Sequence, residues 1–467
     1  METFDLVVIG SGPGGYPAAI RAAQLGAAVA IVEKERLGGA CLNWGCIPTK
    51  TLIASSSLYH RIRHADSMGI TTGACAFDYA AMVKRKDTLV GRLSGGVEQL
   101  LKANGVKIFR GAAAFLSRNR IAVAGAAGEP SVLEVKNIIL ATGSTSTIPA
   151  FIPQDERIVD SRKFLELGAL PASLIVLGGG VIGCEFACMA AQLGVKVTIA
   201  EMLENILLPL DADIRRELRR SMEGPLGITI LTGRSLDHIR ADAAGIAGEW
   251  GGEEIVADMM LLSVGRTPST SGLALEKAGL ETTTSGHIEI DSCCATKAAG
   301  IYAIGDVTSG STQTAHAAMA QGITAAENAC GNKQTAAETL IPSCIFTDPE
   351  IGSVGLTEQK AKEQGRAVRT GKFFLASLGR ALASGENSGF VKWIADAQTD
   401  RLLGAHAIGL HATELIAEAA AAIRSGLTAE ELGRGVHGHP TLSESWMEAA
   451  HAVHGKCIHA APRRRTA

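Results

Sequence analysis

The chain has no apolar run approaching the ~20 residues that a membrane-spanning helix needs. Its first apolar stretch, Leu6-Val7-Val8-Ile9, is short and lacks a basic leader and a cleavage site, so no targeting segment is expected. Nor is one charge in excess: a formal net charge of -3 over 467 residues gives no electrostatic case for binding nucleic acid or a membrane. The one basic cluster, Pro462-Arg463-Arg464-Arg465, is short and terminal and reads as a solvated end. Without secretion, ten cysteines imply a reducing, cytoplasmic setting in which most stay thiols. A disulfide kept in such a place is more readily catalytic than structural.

Glycine, by contrast, is plentiful: 54 residues, confined to discrete loops between apolar runs. With 46% hydrophobic and 19% charged residues the composition is that of a globular protein, and the length calls for two to four domains. An internal repeat organises them. Laid on itself at a constant offset of 168, the segment FDLVVIGSGPGGYPAAIRAAQLGAAVAIVEK (4–34) meets ASLIVLGGGVIGCEFACMAAQLGVKVTIAEM (172–202) without a gap. Gly10, Gly12 and Gly15 fall on Gly178, Gly180 and Gly183, and Glu33 falls on Glu201.

Each copy reads as a buried strand, a G-x-G-x-x-G turn, an amphipathic helix and a second strand ending in an acid. The first glycine allows a tight turn, the second lets backbone approach a pyrophosphate, and the third lets helix and strand pack closely. The helix N-terminus then offers free N–H groups and partial positive charge to the phosphates. The acid, 18 residues after the last glycine, can accept from a ribose hydroxyl. One such turn alone could be purely structural. Two complete copies predict two dinucleotide sites, one for a tightly held cofactor and one for an exchanging partner.

Other segments fit two such units. Val135–Leu140 reads as a strand running into Ala141-Thr142-Gly143, and Met259 to Arg266, passing Gly265, reads as its counterpart in the second copy. Gly300 to Asp306 reads as a further strand ending in Gly-Asp. Beyond about residue 342 no nucleotide fingerprint recurs. There Gly389–Ile394 reads as an antiparallel strand and Glu414–Arg424 as an alanine-rich helix of a separate domain.

Cys41 and Cys46 lie in Gly38-Gly39-Ala40-Cys41-Leu42-Asn43-Trp44-Gly45-Cys46-Ile47-Pro48-Thr49-Lys50, just after the first acid. No matching second pair supplies a zinc site, and no metal is expected. In a regular helix, positions five apart put Cα atoms roughly 8–9 Å apart, more than the ~4.4–6.8 Å a disulfide spans. Bridging needs a distorted turn, which Gly45 can accommodate. Two unrelated buried thiols are the alternative. Cys75, Cys184, Cys188, Cys330, Cys344 and Cys457 read as small buried hydrophobes, and Cys293-Cys294 as part of a strand-like stretch leading to Ile301.

Together the motifs GSGPGG, GGACLNWGCIPTK, GGGVIGCEF, IYAIGD and HGHPTLSE, in this order, resemble the pyridine nucleotide–disulfide oxidoreductases, specifically the dihydrolipoamide dehydrogenase family. The likeness runs from about residue 4 to residue 459. It implies an α/β fold: an FAD-binding Rossmann-like domain (1–147), an inserted NAD-binding Rossmann-like domain (148–270), a central segment completing the FAD domain (271–341), and a C-terminal α+β dimerisation domain (342–467).

By that resemblance FAD is held by Gly10, Gly12, Gly14, Gly15, Glu33, Gly143 and Asp306, and NAD by Gly178, Gly180, Gly183, Glu201 and Gly265. Cys41 is the implied interchange thiol and Cys46 the thiolate at the flavin. Lys50 and Glu185 match the ion pair beside the flavin ring, where positive charge favours the reduced form; a plain surface charge is the alternative for each. A thiol of pKa ~8.5 is mostly protonated at neutral pH. His439 is the implied base that takes its proton, with Glu444 orienting the imidazole. In the family this pair reaches across from the second subunit of a homodimer. His437 reads as structural support.

The implied reaction oxidises dihydrolipoyl groups of a lipoylated acyltransferase or carrier protein, passing two electrons through Cys41–Cys46 and FAD to NAD⁺. Glu201 would repel a 2′-phosphate, and no arginine comes near it in sequence before Arg215, so NAD is expected over NADP. A glutathione reductase-like enzyme, a docking subunit of a 2-oxo-acid dehydrogenase complex and a flavin-dependent redox sensor are the alternatives. Two departures from the family pattern stand out. Trp44 is bulky and expected to narrow access to the disulfide, and Ala317 follows His316 where many relatives have lysine.

Overall fold

The computed structural model describes residues 2–125, 131–336 and 340–461; the basic 462–465 tail lies outside them. Both copies of the repeat fold alike. Strands Glu2–Ile9 and Val29–Glu33 pair in parallel around the helix Gly15–Gln24. Strands Ser173–Leu177 and Lys196–Glu201 do the same around Val181–Gln192. Their branched residues are buried on both faces, as continuous apolar runs in covered parallel sheets are.

The first sheet has seven strands. Lys107–Arg110, Val29–Glu33, Glu2–Ile9 and Ser131–Leu140 run parallel, and Arg120–Ala124 and Ala112–Ser117 extend it as an antiparallel edge. The seventh strand, Ile301–Ala303, returns from far along the chain to pair in parallel with the end of Ser131–Leu140. The second sheet has five parallel strands, with Met259–Leu262 beside Ser173–Leu177 just as Ser131–Leu140 lies beside Glu2–Ile9. Two short antiparallel strands, Ser144–Ser146 and Arg266–Pro268, join the units where the chain leaves and re-enters the first. Two Rossmann-like layers, one inserted into the other, are therefore followed by a third unit. That unit is a five-stranded antiparallel sheet covered by helices Ala412–Arg424 and Glu444–Val453.

Phe390–Asp396 is a strand of this last sheet, and Ala412–Arg424 contains the expected helix. Trp393 and Trp446 stack with ring centroids 4.7 Å apart, and the Trp393 indole N–H donates to the Trp446 carbonyl at 3.0 Å. This pair fixes the helix Glu444–Val453 on the sheet. Among the described residues no helix is long and apolar enough to cross a membrane.

Three sequence expectations need correction. Met259 to Arg266 is not one strand: it stops at Leu262, and Gly265 turns the chain with a φ of 117°. Gly300 to Asp306 shrinks to Ile301–Ala303, because Gly305 (φ 70°) starts a 3₁₀ turn that carries Asp306. Cys293-Cys294 lies in a turn, since the Asp291 carboxylate accepts the N–H groups of Cys293 and Ala295 and curls the chain.

Candidate active site

The glycines of the repeat divide by what surrounds them. A Cβ on Gly15 would lie 1.9 Å from the Gly10 carbonyl oxygen, and one on Gly183 would lie 2.1 Å from that of Gly178. These third glycines are demanded by helix–strand contact. At the second glycines the protein demands nothing: a Cβ on Gly12 would come no nearer than 4.0 Å to Gly39, and one on Gly180 would meet nothing within 4 Å. Their bareness leaves room for a ligand, at helix starts that no side chain caps.

The acids obey the same offset. Glu33 Oε2 accepts from the Ser11 N–H at 2.9 Å and the Ser11 hydroxyl at 2.6 Å, while Oε1 accepts from the Glu35 N–H at 2.9 Å. Glu201 Oε2 accepts from the Gly179 N–H at 2.6 Å, and Oε1 from the Leu203 N–H at 2.8 Å. Both carboxylates are thus fixed at the mouth of their glycine turn with lone pairs to spare for a ribose. The residues present fit a dinucleotide pyrophosphate and ribose in each copy. Gly14 packs against Ala318 and Ile304, and Gly143 (φ 68°) turns the chain just before Ser144. The Ser144 hydroxyl donates to Asp306 at 2.6 Å and accepts from Arg266 Nε at 2.7 Å, so Asp306 is held from the hinge strands.

Cys41 and Cys46 form a disulfide with Cα atoms 4.7 Å apart. The helix Gly39–Trp44 ends at Gly45, whose φ of −139° and ψ of −110° break the helical path, and Cys46 opens the next helix, Cys46–Arg63. A Cβ on Gly45 would lie 3.1 Å from the Ala40 carbonyl oxygen, so glycine permits the close return. Gly39, two residues before Cys41, touches the first cradle: its Cβ would sit 2.5 Å from the Gly12 Cα. The segment leading into Cys41 is thereby packed on the Gly10–Gly15 turn.

One turn after Cys46, Lys50 bonds both carboxylate oxygens of Glu185, at 2.8 and 2.6 Å. Glu185 is buried in the helix Val181–Gln192 and also accepts the Phe346 N–H at 2.9 Å. Lys50 Nζ sits 4.9 Å from the centre of the Phe346 ring. Segments 46–50, 185 and 346 thus meet from all three units. Trp44 carries the Arg162 guanidinium over its ring at 3.9 Å. His316 bonds the Pro342 carbonyl oxygen at 2.6 Å.

His439 and Glu444 form a pair, Nδ1 to Oε1 at 2.8 Å, and Glu444 Oε2 accepts the Thr441 N–H at 2.8 Å. The His439 side chain is 80 % exposed, and Glu444 is its one hydrogen-bond partner among the described residues. Among the described residues no hydrogen bond or ion pair joins it to Cys41 or Cys46. His437 is tied to Glu418 at 2.6 Å. Sequence reasoning missed Ser11, Ser144, Arg266 and Phe346. Only Ser11, inside the first glycine turn, carried any local signal.

The fold and these cradles define a class: the chain belongs to the pyridine nucleotide-disulphide oxidoreductases, whose family model matches residues 4–322. The model of that family's dimerisation domain matches residues 341–450. Among curated proteins, the chain is 42% identical over 463 residues to the dihydrolipoyl dehydrogenase of Halobacterium salinarum, covering 97% of each. It is 41% identical over 472 residues to that of Bacillus subtilis, covering 98% of this chain and 99% of that one. Among solved structures it is similar to LpdA from Mycobacterium tuberculosis, with a TM-score of 0.89 and 30% identity over 96% of this chain and 99% of that one. The Cu(II) complex of the flavoprotein disulfide reductase RclA from Escherichia coli matches with a TM-score of 0.87 at 28% identity, over 96% of this chain and 99% of that one. The family uses FAD and NAD, and the two glycine cradles are where this chain's residues fit them.

Proposed function

We propose that this chain is a cytoplasmic flavoprotein that oxidises dihydrolipoyl groups to the lipoyl disulfide and delivers the two electrons to NAD⁺. The observation that carries it is the Cys41–Cys46 disulfide, whose Cys46 opens the helix that also carries Lys50 and whose preceding Gly39 packs on Gly12 of the first cradle. The domains are assigned as residues 1–147 for FAD, 148–270 for NAD, 271–341 returning to the FAD unit, and 342–467 for dimerisation.

A dihydrolipoyl thiolate attacks Cys41 Sγ, the Cys41–Cys46 bond breaks, and Cys46 leaves as a thiolate. The second substrate thiolate then displaces Cys41 from the mixed disulfide. This closes the lipoyl ring and leaves the pair of electrons on the enzyme dithiol. FAD held by the first glycine cradle would supply the two-electron acceptor for this dithiol, and a nicotinamide held by the second would supply the final hydride acceptor. His439, with Nδ1 held by Glu444, takes the substrate protons at Nε2, and we assign it to the disulfide of the second subunit of a homodimer. Lys50, oriented by Glu185, places a positive charge beside the Cys46 thiolate and the flavin. Gly10, Gly12, Gly14, Gly15, Glu33, Gly143 and Asp306 are assigned to FAD, and Gly178, Gly180, Gly183, Gly265 and Glu201 to NAD. The natural substrate is a lipoyl group on a separate acyltransferase or carrier protein.

An anaerobic titration of the purified yellow protein with dihydrolipoamide, followed by NAD⁺, tests this reading. A long-wavelength thiolate-to-flavin band, bleached on adding NAD⁺ with formation of NADH, is the expected result. Silence toward dihydrolipoamide, with NADPH and glutathione disulfide turning over instead, would remove the substrate assignment.

A further inference from the structure

The helix Ala212–Glu223 carries four arginines, Arg215, Arg216, Arg219 and Arg220, which line one cavity of about 560 Å³ together with Asn205 and Glu223. A cavity of this size holds a small ligand. Neither Glu201 nor any glycine of the second cradle lines it. Arg215 and Arg219 are four residues apart, as are Arg216 and Arg220, so each pair stands side by side on the helix surface, where like charges repel.

Two of the four are committed. Arg219 Nε donates to Glu223 at 2.9 Å, Nη1 to the Thr232 hydroxyl at 3.3 Å and Nη2 to the Ile230 carbonyl at 3.0 Å. Thr232 pairs with Glu201 in the sheet, so this guanidinium is anchored to the nucleotide fold itself. Arg216 bonds Asp213, a carboxylate that it shares with Lys372 and Lys392. The other two are open. Arg220 is exposed and lines the cavity with no carboxylate partner among the described residues. Arg215 Nε is shielded from solvent and meets no acceptor among the described residues. A buried donor on a charged group is costly without a partner, and this one belongs to a guanidinium at the cavity wall.

We propose that this cavity binds a small phosphate-bearing anion of the diphosphate class, at a site separate from both dinucleotide cradles. Its lining sets four guanidiniums against one carboxylate, Glu223, which Arg219 already holds. A phosphate group carries about 1.5 to 2 negative charges at neutral pH, so two joined phosphates match an excess that a single carboxylate would not. Guanidinium forks offer paired N–H groups that fit phosphate oxygens two at a time. Arg219 forms the fixed wall, and Arg215 and Arg220 supply the free donors. A bound anion would also relieve the repulsion along the helix.

The test is a calorimetric titration of inorganic pyrophosphate into the FAD-loaded protein at about 0.15 M ionic strength, with NAD⁺ saturating so that the second cradle is filled. Saturable binding of one pyrophosphate per chain, in the micromolar range, is the expected result. Arg220→Gln, at an exposed position that leaves the fold intact, should weaken binding about tenfold, and Arg215→Gln at least as much. Arg220→Lys keeps the charge but loses the fork, and should fall between the two. The KM for NAD⁺ in Arg220→Gln should stay within about twofold, since Arg220 is no part of the cradle. Absence of saturable binding overturns the proposal, as does binding that both glutamine variants leave unchanged. An oligoglutamate peptide that binds where pyrophosphate does not would make this face a protein-docking surface, and that result also overturns it. None of these outcomes touches the dithiol reading, because dihydrolipoamide oxidation is measured without pyrophosphate.

Discussion

Cys46 starts a helix and Lys50 follows one turn later, so a thiolate at the first and an ammonium at the second project from the same face. That ammonium is not free to wander, because Glu185 takes it with both oxygens and is itself pinned by the Phe346 N–H. The charge is thus fixed before any electron arrives, which spares reorganisation during the reaction. Cys41→Ser removes the sulfur assigned here to attack by substrate and should lower dihydrolipoamide-dependent NADH formation roughly 10³-fold or more. The flavin absorbance of the purified protein should persist, since none of the FAD cradle is altered. Turnover close to that of the unmodified enzyme would sink the role given to this disulfide.

At the scale of elements, the repeated strand–turn–helix separates glycines that serve packing from glycines that serve a ligand. Gly183→Ala drives a methyl to 2.1 Å from the Gly178 carbonyl oxygen and 2.7 Å from the Ser263 hydroxyl, a clash that backbone cannot relieve cheaply. It should cost about 1–3 kcal/mol of stability, read as a lower denaturation midpoint. Gly180→Ala meets no protein atom within 4 Å and should leave that midpoint within about 0.5 kcal/mol, while raising the KM for NAD⁺. Equal losses of stability in the two variants would contradict this division. The repeat was legible in the sequence because a parallel βαβ unit leaves apolar runs, fixed glycines and an acid at set spacing. The hinge strands Ser144–Ser146 and Arg266–Pro268 were not, since three residues each carry too little pattern to read.

Across the whole molecule, a buried ionic cluster ties the second nucleotide unit to the C-terminal sheet. Lys392, 3 % exposed on the strand Phe390–Asp396, bonds Asp211 at 3.0 and 3.1 Å, Asp213 at 3.1 Å and Glu358 at 3.0 Å. Despite the cost of burial, His406 and Lys392 hold Asp211 low, Lys372 and Lys392 pull Asp213 from 3.8 to about 2, and the carboxylates raise Lys392. The aspartates' share of stability is present above their unfolded value of 3.8 and is lost as pH falls toward about 2. The lysine's share is present below its ordinary 10.5 and is lost as pH rises beyond it. Lys392→Met leaves the buried Asp211 without its ion-pair partner and should cost about 3–5 kcal/mol near neutral pH in denaturant unfolding, with the penalty shrinking in acid. A pH-independent penalty would contradict the electrostatic account.

Under the proposed function the exposed His439 serves the disulfide of the second subunit of a homodimer. Co-expressed Cys41→Ser and His439→Gln subunits should therefore recover activity that neither homodimer has. Statistical mixing makes half the dimers mixed with one intact site each, or roughly a quarter of the unmodified rate. No recovery on mixing would place both residues of a site in one chain.

The order of motifs along the chain determined by itself the two dinucleotide folds and the disulfide pair. These depend on local rules: spacing of glycines, an acid at a strand end, a glycine between two cysteines. Tertiary structure alone decided that Glu185 and Phe346, 135 and 296 residues beyond Lys50, meet at that ammonium. It alone bound the tail to Glu448 and locked Lys392 among carboxylates from another unit. It also cut two expected strands short, at Leu262 and Ala303, where glycines with positive φ turned the chain. Such contacts arise from how finished units pack, and the spacing of residues along one chain carries no record of which faces will meet.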